Sequence, residues 1–189
     1  MKYLKYTLYF LIILIVIFFG MGIITPQVSY ESEVTVDKSL EESWAVMSDE
    51  SRVTEWLTDI KRMEHKSGIP NTVGAVSTIY VEDNGQEMMM EETITALEPN
   101  KRIAMTFTMD FMKMDYEMSL SQKEGKTLIK SNTTTVGNGM FAKSMLAFMP
   151  KAMKKQEDKN MHNLKKVIDE NAKNYFQDTI QIISKDSIE

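Results

Sequence analysis

The sequence has no cysteine, two histidines, four prolines and eight glycines in 189 residues. Without cysteine there is no thiol nucleophile, no disulfide and no thiolate metal site. His65 and His162 lie far apart in the chain, and no Asp/Glu cluster has metal-ligand spacing, so neither a metal nor a cofactor is expected. There is no glycine-rich phosphate loop and no nucleophile elbow. Basic residues are outnumbered, 22 Lys and Arg against 27 Asp and Glu, a net charge of -5. That balance argues against a nucleic-acid partner held by its phosphates, which needs clustered Lys and Arg. With 43% hydrophobic residues the chain suits one ordinary domain and an appendage, not a collagenous or disordered polymer.

The appendage is N-terminal. After Lys2 and Lys5 no charged side chain occurs until Glu31, and Leu8 to Ile24 is an apolar block broken only by Tyr9, Gly20 and Gly22. With Tyr6, Thr7 and Thr25 it makes a helix of roughly 30 Å, the thickness of a bilayer's hydrocarbon core. Residues 6–25 are therefore expected to meet the membrane, within an anchor over residues 1–25. Lys2 and Lys5 precede the run, which predicts a cytoplasmic N-terminus and a single pass. The following domain then lies on the periplasmic or extracellular side. The alternative is a cleaved signal peptide, for which Gly20-Met21-Gly22 offers small residues. The uncharged stretch exceeds the usual signal core of about 7 to 15 residues, which favours the anchor. Both readings export the domain, and the lack of cysteine excludes a lipoprotein anchor. Without Lys2 and Lys5 the remainder carries 20 basic against 27 acidic side chains.

Beyond Gln27 the pattern becomes alternation. Val28, Tyr30, Val34 and Val36 share one parity, as a half-buried strand requires. Ser39 is placed as an N-cap, with Glu42 completing a capping box, before Leu40, Trp44 and Met47 at helical spacing. A second short helix is predicted from Glu50 to Leu57, and both tryptophans are expected to pack in the core. After the turn cluster Gly68-Ile69-Pro70-Asn71 the chain reads as strands. They are joined by Asp83-Asn84-Gly85, by Glu98-Pro99-Asn100 and by Lys123-Glu124-Gly125-Lys126. Between residues 103 and 120 the apolar parity flips from odd to even, which predicts a tight turn or bulge near residues 110–113. Short connections imply an antiparallel meander.

A helical stretch follows from Gly139 to Asn171, with a break expected at Pro150. Its run Lys154 to Asn160 is wholly polar and reads as a solvated face. The tail, residues 173–189, has Tyr175, Phe176, Ile180, Ile182 and Ile183 and an open role. One strand, two short helices, a meander and a long terminal helix predict an α+β helix-grip fold. In it a curved antiparallel sheet of about seven strands wraps the C-terminal helix, in a domain spanning residues 26–172.

Individual motifs agree with that order. Val34 to Trp44 resembles the opening strand and helix of the START-like or SRPBCC superfamily, the birch-pollen-allergen, polyketide-cyclase and lipid-transfer group. Asp49 with Val53 and Trp56, Gly74, Leu97-Glu98-Pro99-Asn100-Lys101-Arg102-Ile103, and Asn163-Leu164-Lys165-Lys166 are similar to its later landmarks. The resemblance covers residues 27–171 and implies a deep cavity for apolar or amphipathic molecules between sheet and helix. The anchor, the tail and the break at Pro150 depart from the pattern of cytosolic relatives.

Independently, the chain is rich in methionine, with 17. Met is unbranched and polarizable, and re-packs around ligands of different shape. Parity and helical spacing place Met88, Met90, Glu92, Met105, Phe107, Met109, Met114, Tyr116, Met118, Met145, Met149 and Met153 as candidate cavity residues. The opposing reading is that these methionines only fill a core. Glu92, in phase with Met88, Met90 and Ile94, would be a buried carboxyl able to act as a general acid or base. Tyr116 could donate to a ligand carbonyl, and His65 could stand at the mouth. The corresponding alternatives are a rim position, a core tyrosine and a solvated histidine. Three functions are thus in view: a membrane-tethered carrier for a hydrophobic small molecule or lipid, an enzyme of cyclase or dehydratase type, and an interaction domain with a filled core.

Overall fold

The computed structural model describes residues 2–83 and 85–176. Helix α1 runs from Lys2 to Ile24 and ends where Pro26 cannot continue it. Strand β1 (Gln27–Val36) follows, then α2 (Leu40–Met47), a 3-10 turn (Glu50–Arg52) and α3 (Val53–Trp56). Six strands come next: β2 (Ile60–Ser67), β3 (Val76–Asp83), β4 (Gln86–Glu98), β5 (Arg102–Thr108), β6 (Met112–Lys123) and β7 (Lys126–Gly137). Helices α4 (Gly139–Leu146) and α5 (Pro150–Asp169) complete the described chain.

Every strand pair is antiparallel, and the sheet order β1-β7-β6-β5-β4-β3-β2 is a meander with β1 added beside β7. Strand β2 was not recognisable as a separate strand in the sequence, because five of its eight residues are charged or His and its pattern is mostly exposed. The parity flip is the β5–β6 turn, where Met109 N–H donates to the Met112 carbonyl at 2.9 Å. At the β6–β7 turn Glu124 and Gly125 both take positive φ, 53° and 79°, the pair of left-handed residues that a two-residue hairpin uses.

Ser39 caps α2 as expected, accepting from Glu42 N–H at 3.1 Å. The Glu42 carboxylate does not reach back to the cap; it receives Lys38 Nζ at 2.9 Å and Asn171 Nδ2 at 3.1 Å. The predicted helix from 139 to 171 is two helices, and Pro150 opens the second, where its missing N–H costs no bond.

Helix α5 lies across the concave face beside β1, α2 and α3. One end of that face is closed. Val36, Val46, Trp56, Met118, Leu120, Ile129, Met161, Leu164 and Ile168 are buried together, with Trp44 packed against them. Each such large side chain contributes about 1.5 to 3 kcal/mol by leaving water. Tyr175 closes this end from the tail, its hydroxyl donating to Asp49 at 2.8 Å. Lys173 and Ser51 also bond the Asp49 carboxyl; against the opposing effect of burial they hold it well below the usual carboxylate range. Ile180, Ile182 and Ile183 lie outside the described residues.

Candidate functional site

Register fixes which side chains meet on the concave face. One row across the sheet runs Val28, Thr135, Met114, Phe107, Glu92, Ser77 and His65. The next runs Tyr30, Thr133, Tyr116, Met105 and Ile94, and the next Ser32, Ser131, Met118 and Ile103. Adjacent members sit about 5 Å apart, the strand spacing. The sheet thus brings Glu92 and His65 into one row with Ser77 between them, and Tyr116 into the neighbouring row beside Met105.

The face is not uniform. Toward the closed end Met118 is 1% exposed and belongs to the core, not to an open wall. Met90, Met105, Phe107 and Met114 are only half-buried, so the concave face is less tightly covered where they stand. Met145 and Met153 are half-buried on α4 and α5, and Met109 is half-buried in the β5–β6 turn. Met88, in β4, and Met149, between α4 and α5, are exposed. His65 is exposed as well, with Nε2 3.1 Å from the Gly68 carbonyl. Two open depressions, of about 560 and 350 Å³, border the sheet. The first is on the sheet's outer surface around Thr106, Asp115 and Thr134, the second between β1 and α5 around Glu31 and Asp158.

Among the buried polar residues one is a carboxylate, Glu157. It is 8% exposed, so the reading of Lys154 to Asn160 as a wholly solvated face is corrected at this residue. Glu157 Oε1 accepts from Ser131 Oγ at 2.5 Å and from the Tyr116 hydroxyl at 3.1 Å, tying α5 to β7 and β6. Ser32 Oγ donates to Asp158 one residue on, at 2.7 Å. Burial raises the Glu157 carboxyl above its ordinary pKa, and the two hydroxyl donors offset part of that rise. Burial, then the Glu157 charge and hydrogen bond, push the Tyr116 phenol well above 10. Tyr30 is pushed up to about 12 by burial and by the Glu157 charge, slightly eased by the neighbouring Thr133 hydroxyl. Thr133 Oγ1 and Thr135 Oγ1 are buried with no hydrogen-bond partner of normal geometry among the described residues. Unmade bonds of this kind cost about 1 to 3 kcal/mol each.

Glu92 stands on the other side of that wall. Burial raises its carboxyl to about 7, and the negative charge of Glu50 adds to the rise. Near neutrality it is divided between acid and carboxylate, able to give or accept a proton. Among the described residues no three His, Asp or Glu side chains are grouped to hold a metal ion.

Sequence reasoning reached Glu92 and Tyr116 through strand parity and missed Glu157. The signal was present: Met153, Glu157 and Met161 are spaced by four, so Glu157 lies on the apolar stripe of α5. Ser131, Thr133 and Thr135 share the parity of Ile129, buried on β7, but Thr and Ser are too common in strands to stand out.

A seven-stranded antiparallel sheet gripping a C-terminal helix, with two short helices after the first strand, defines a START-like, SRPBCC helix-grip protein. Solved structures agree. The Zhui aromatase/cyclase from Streptomyces sp. R1128 superposes with a TM-score of 0.65 at 13% identity, over 78% of this chain and 96% of that one. Ara h 8.0201 gives 0.60 at 15% identity, over 77% and 99%. A Staphylococcus aureus protein of unknown function, SA2116, gives 0.60 at 17%, over 75% and 93%. At these identities the likeness shows the fold alone. No curated protein matches the chain. The family of polyketide cyclase / dehydrase and lipid transport proteins matches residues 27–169, and the chain belongs to it.

Proposed function

We propose that this protein is a membrane-tethered helix-grip module that holds a hydrophobic small molecule or lipid between its sheet and α5. The carrying observation is the pairing of a half-buried apolar wall (Met90, Met105, Phe107, Met114) with an enclosed polar cluster (Glu157, Tyr116, Ser131) near the Thr135 hydroxyl, which lacks a partner among the described residues. Such a pairing suits an amphipathic ligand: the apolar body lies on methionines that re-pack around it, and one polar end replaces missing hydrogen bonds. Family membership supports the same ligand class.

The tether is α1, with residues 1–25 as anchor, residues 26–172 as the binding domain and residues 173–189 as a tail. Tyr3–Ile24, 22 residues of mean hydropathy 2.8, is long and apolar enough to cross a membrane. Its side chains from Tyr3 to Ile17 are all exposed, an aliphatic surface that water does not tolerate on a soluble monomer. With Lys2 and Lys5 on the cytoplasmic side the domain faces outward.

Native mass spectrometry of the full chain released from host membranes, followed by organic extraction, tests the binding reading. A stoichiometric apolar molecule is expected. An empty protein that also fails to take up an environment-sensitive apolar dye would reduce the domain to an interaction module with a filled core. Protease added to intact spheroplasts should digest the domain, and full protection would reject the outward topology.

A second reading is favoured by Glu92 alone. A carboxyl held near 7 inside an apolar wall suits proton transfer in a cyclisation or dehydration. Under that reading Glu92→Gln abolishes turnover while the ligand still binds; under the carrier reading it leaves uptake nearly unchanged.

A further inference from the structure

Outside α1, the exposed large apolar side chains are concentrated at one end of the sheet. Gln27 pairs with Val136 and Met112 with Gly137 at that end, where β1 starts and β7 stops. The β5–β6 turn carries exposed Phe111 there, and α4 and its exit carry Phe141, at 65%, and Phe148, at 58%. Strand β4 runs past its last pair with β5, Glu91 with Thr108, toward the β3–β4 hairpin, and this extension exposes Met89. Only Ile69 and Val73, in the β2–β3 connection, and Phe176, in the tail, are comparably exposed elsewhere among the described residues.

The same end is where the chain leaves α1. Two residues, Thr25 and Pro26, separate α1 from β1, a span of at most about 7 Å. Moreover, α1 packs on α4. Phe18 stacks on Phe148 with ring centroids 6.0 Å apart and lies 5.6 Å from Phe141. Gly22 is buried against Ser144, so close that a Cβ at position 22 would stand 2.5 Å from Ser144 Oγ. Phe18 lies six residues inside the end of α1, about 9 Å along the axis. Phe141 and Phe148 are therefore held at a depth that α1 itself occupies.

From this we infer that α4, the β5–β6 turn and the β3–β4 hairpin form a bilayer-docking face, seated in the interface of the membrane that α1 crosses. The occupant is the lipid surface itself. Asp110, Lys113, Lys143 and Lys151, with Glu82, Glu87 and Glu91 of the β3–β4 hairpin, intersperse the apolar side chains with charges of both signs, so the attraction is apolar and requires no anionic lipid. Met114, Phe107 and Glu92 form the second inward row from this end, so the less covered part of the concave face lies toward the bilayer. The ligand class this selects is an amphiphile dissolved in the membrane, exchanged without crossing water. The inference rests on α1 being the anchor.

The test uses the absence of cysteine, which makes single-site labelling clean. The full chain is reconstituted in phosphatidylcholine nanodiscs with an environment-sensitive fluorophore at Phe111→Cys, Phe141→Cys or Phe148→Cys. Leu11→Cys, in α1, and Lys123→Cys, at the opposite end of the sheet, are the references. Docking predicts blue-shifted emission at 111, 141 and 148 and loss of most intensity to brominated lipid, unaffected by salt, while 123 stays water-like. Label 111 is decisive because the ring contacts of α1 go from Phe18 to Phe141 and Phe148, not to Phe111. Water-like emission at 111, with 11 quenched, would overturn the docking face and leave the anchor standing. If 11 is also unquenched, the anchor reading fails and the docking face with it. Unchanged fluorescence of Trp44 and Trp56 verifies that each variant is folded.

Discussion

Glu92→Gln separates the cost of a buried carboxylate from the rest of the fold. The folded protein holds this carboxyl at about 7, against 4.5 for the free group. At about 1.36 kcal/mol for each tenfold change in proton affinity, ionising it in the fold costs about 3 kcal/mol. Partial contact with solvent and the drop already under way at pH 5 leave about 2 kcal/mol between pH 5 and pH 8.5. The direction follows from proton counts. Below about pH 4.5 folded and unfolded chains both carry the proton and stability is complete. Between 4.5 and 7 the folded chain binds more protons than the unfolded one, so stability falls as pH rises through the folded value. Glutamine has the same shape and does not titrate. The assay is thermal unfolding of the full chain in mild detergent, followed by Trp44 and Trp56 fluorescence at both pH values. The variant should gain on the wild type by about 5 °C on going from pH 5 to pH 8.5, given the size of the domain. Contributions of the other ionisable groups are common to both proteins and cancel in the difference. Parallel loss of stability in the two proteins would refute the partly buried environment assigned to Glu92.

Three further outcomes are expected. Ser39→Ala should destabilise the domain by about 1 kcal/mol, because Glu42 N–H loses its acceptor at the start of α2; urea unfolding measures it, and no change would mean that water replaces the cap. Glu157→Leu leaves the Tyr116 and Ser131 hydroxyls without their acceptor, costing about 1 to 3 kcal/mol each, whereas Glu157→Gln keeps an acceptor and should cost less in the same melts. Gly22→Val must push α4 away from α1, since even a Cβ there would meet the Ser144 backbone nitrogen at 2.7 Å; faster proteolysis at α4, with unchanged membrane association, is the expected readout, and an unchanged digestion pattern would show that the two helices do not pack.

Local signals in the sequence settled the elements. Alternation marked β1 and β3 to β7, Ser39 marked the start of α2, the parity flip marked the β5–β6 turn, and Pro150 marked the boundary of α5. These are properties of a few neighbouring residues, and they also put Glu92 and Tyr116 on the inner face through the two-residue period of a strand. The apolar run of α1 was equally legible, because helix length and hydropathy need no partner. Tertiary structure decided what each inner face meets. Met118 lies under α5 in a closed core while Met105 and Met114 are only half-buried, although all three share the same pattern in sequence. Glu157 sits in a run of polar residues, and only the crossing of α5 over β6 and β7 turns it into the acceptor for Tyr116 and Ser131. Likewise, Phe111, Phe141 and Phe148 are far apart from Met89 and Phe18 in the chain, and strand register and the seat of Gly22 on Ser144 collect them at one end. Periodicity reports which side of an element is apolar; which element covers that side, and whether it covers all of it, depends on contacts between residues distant in the chain, 26 positions apart for Ser131 and Glu157 and 41 for Tyr116 and Glu157.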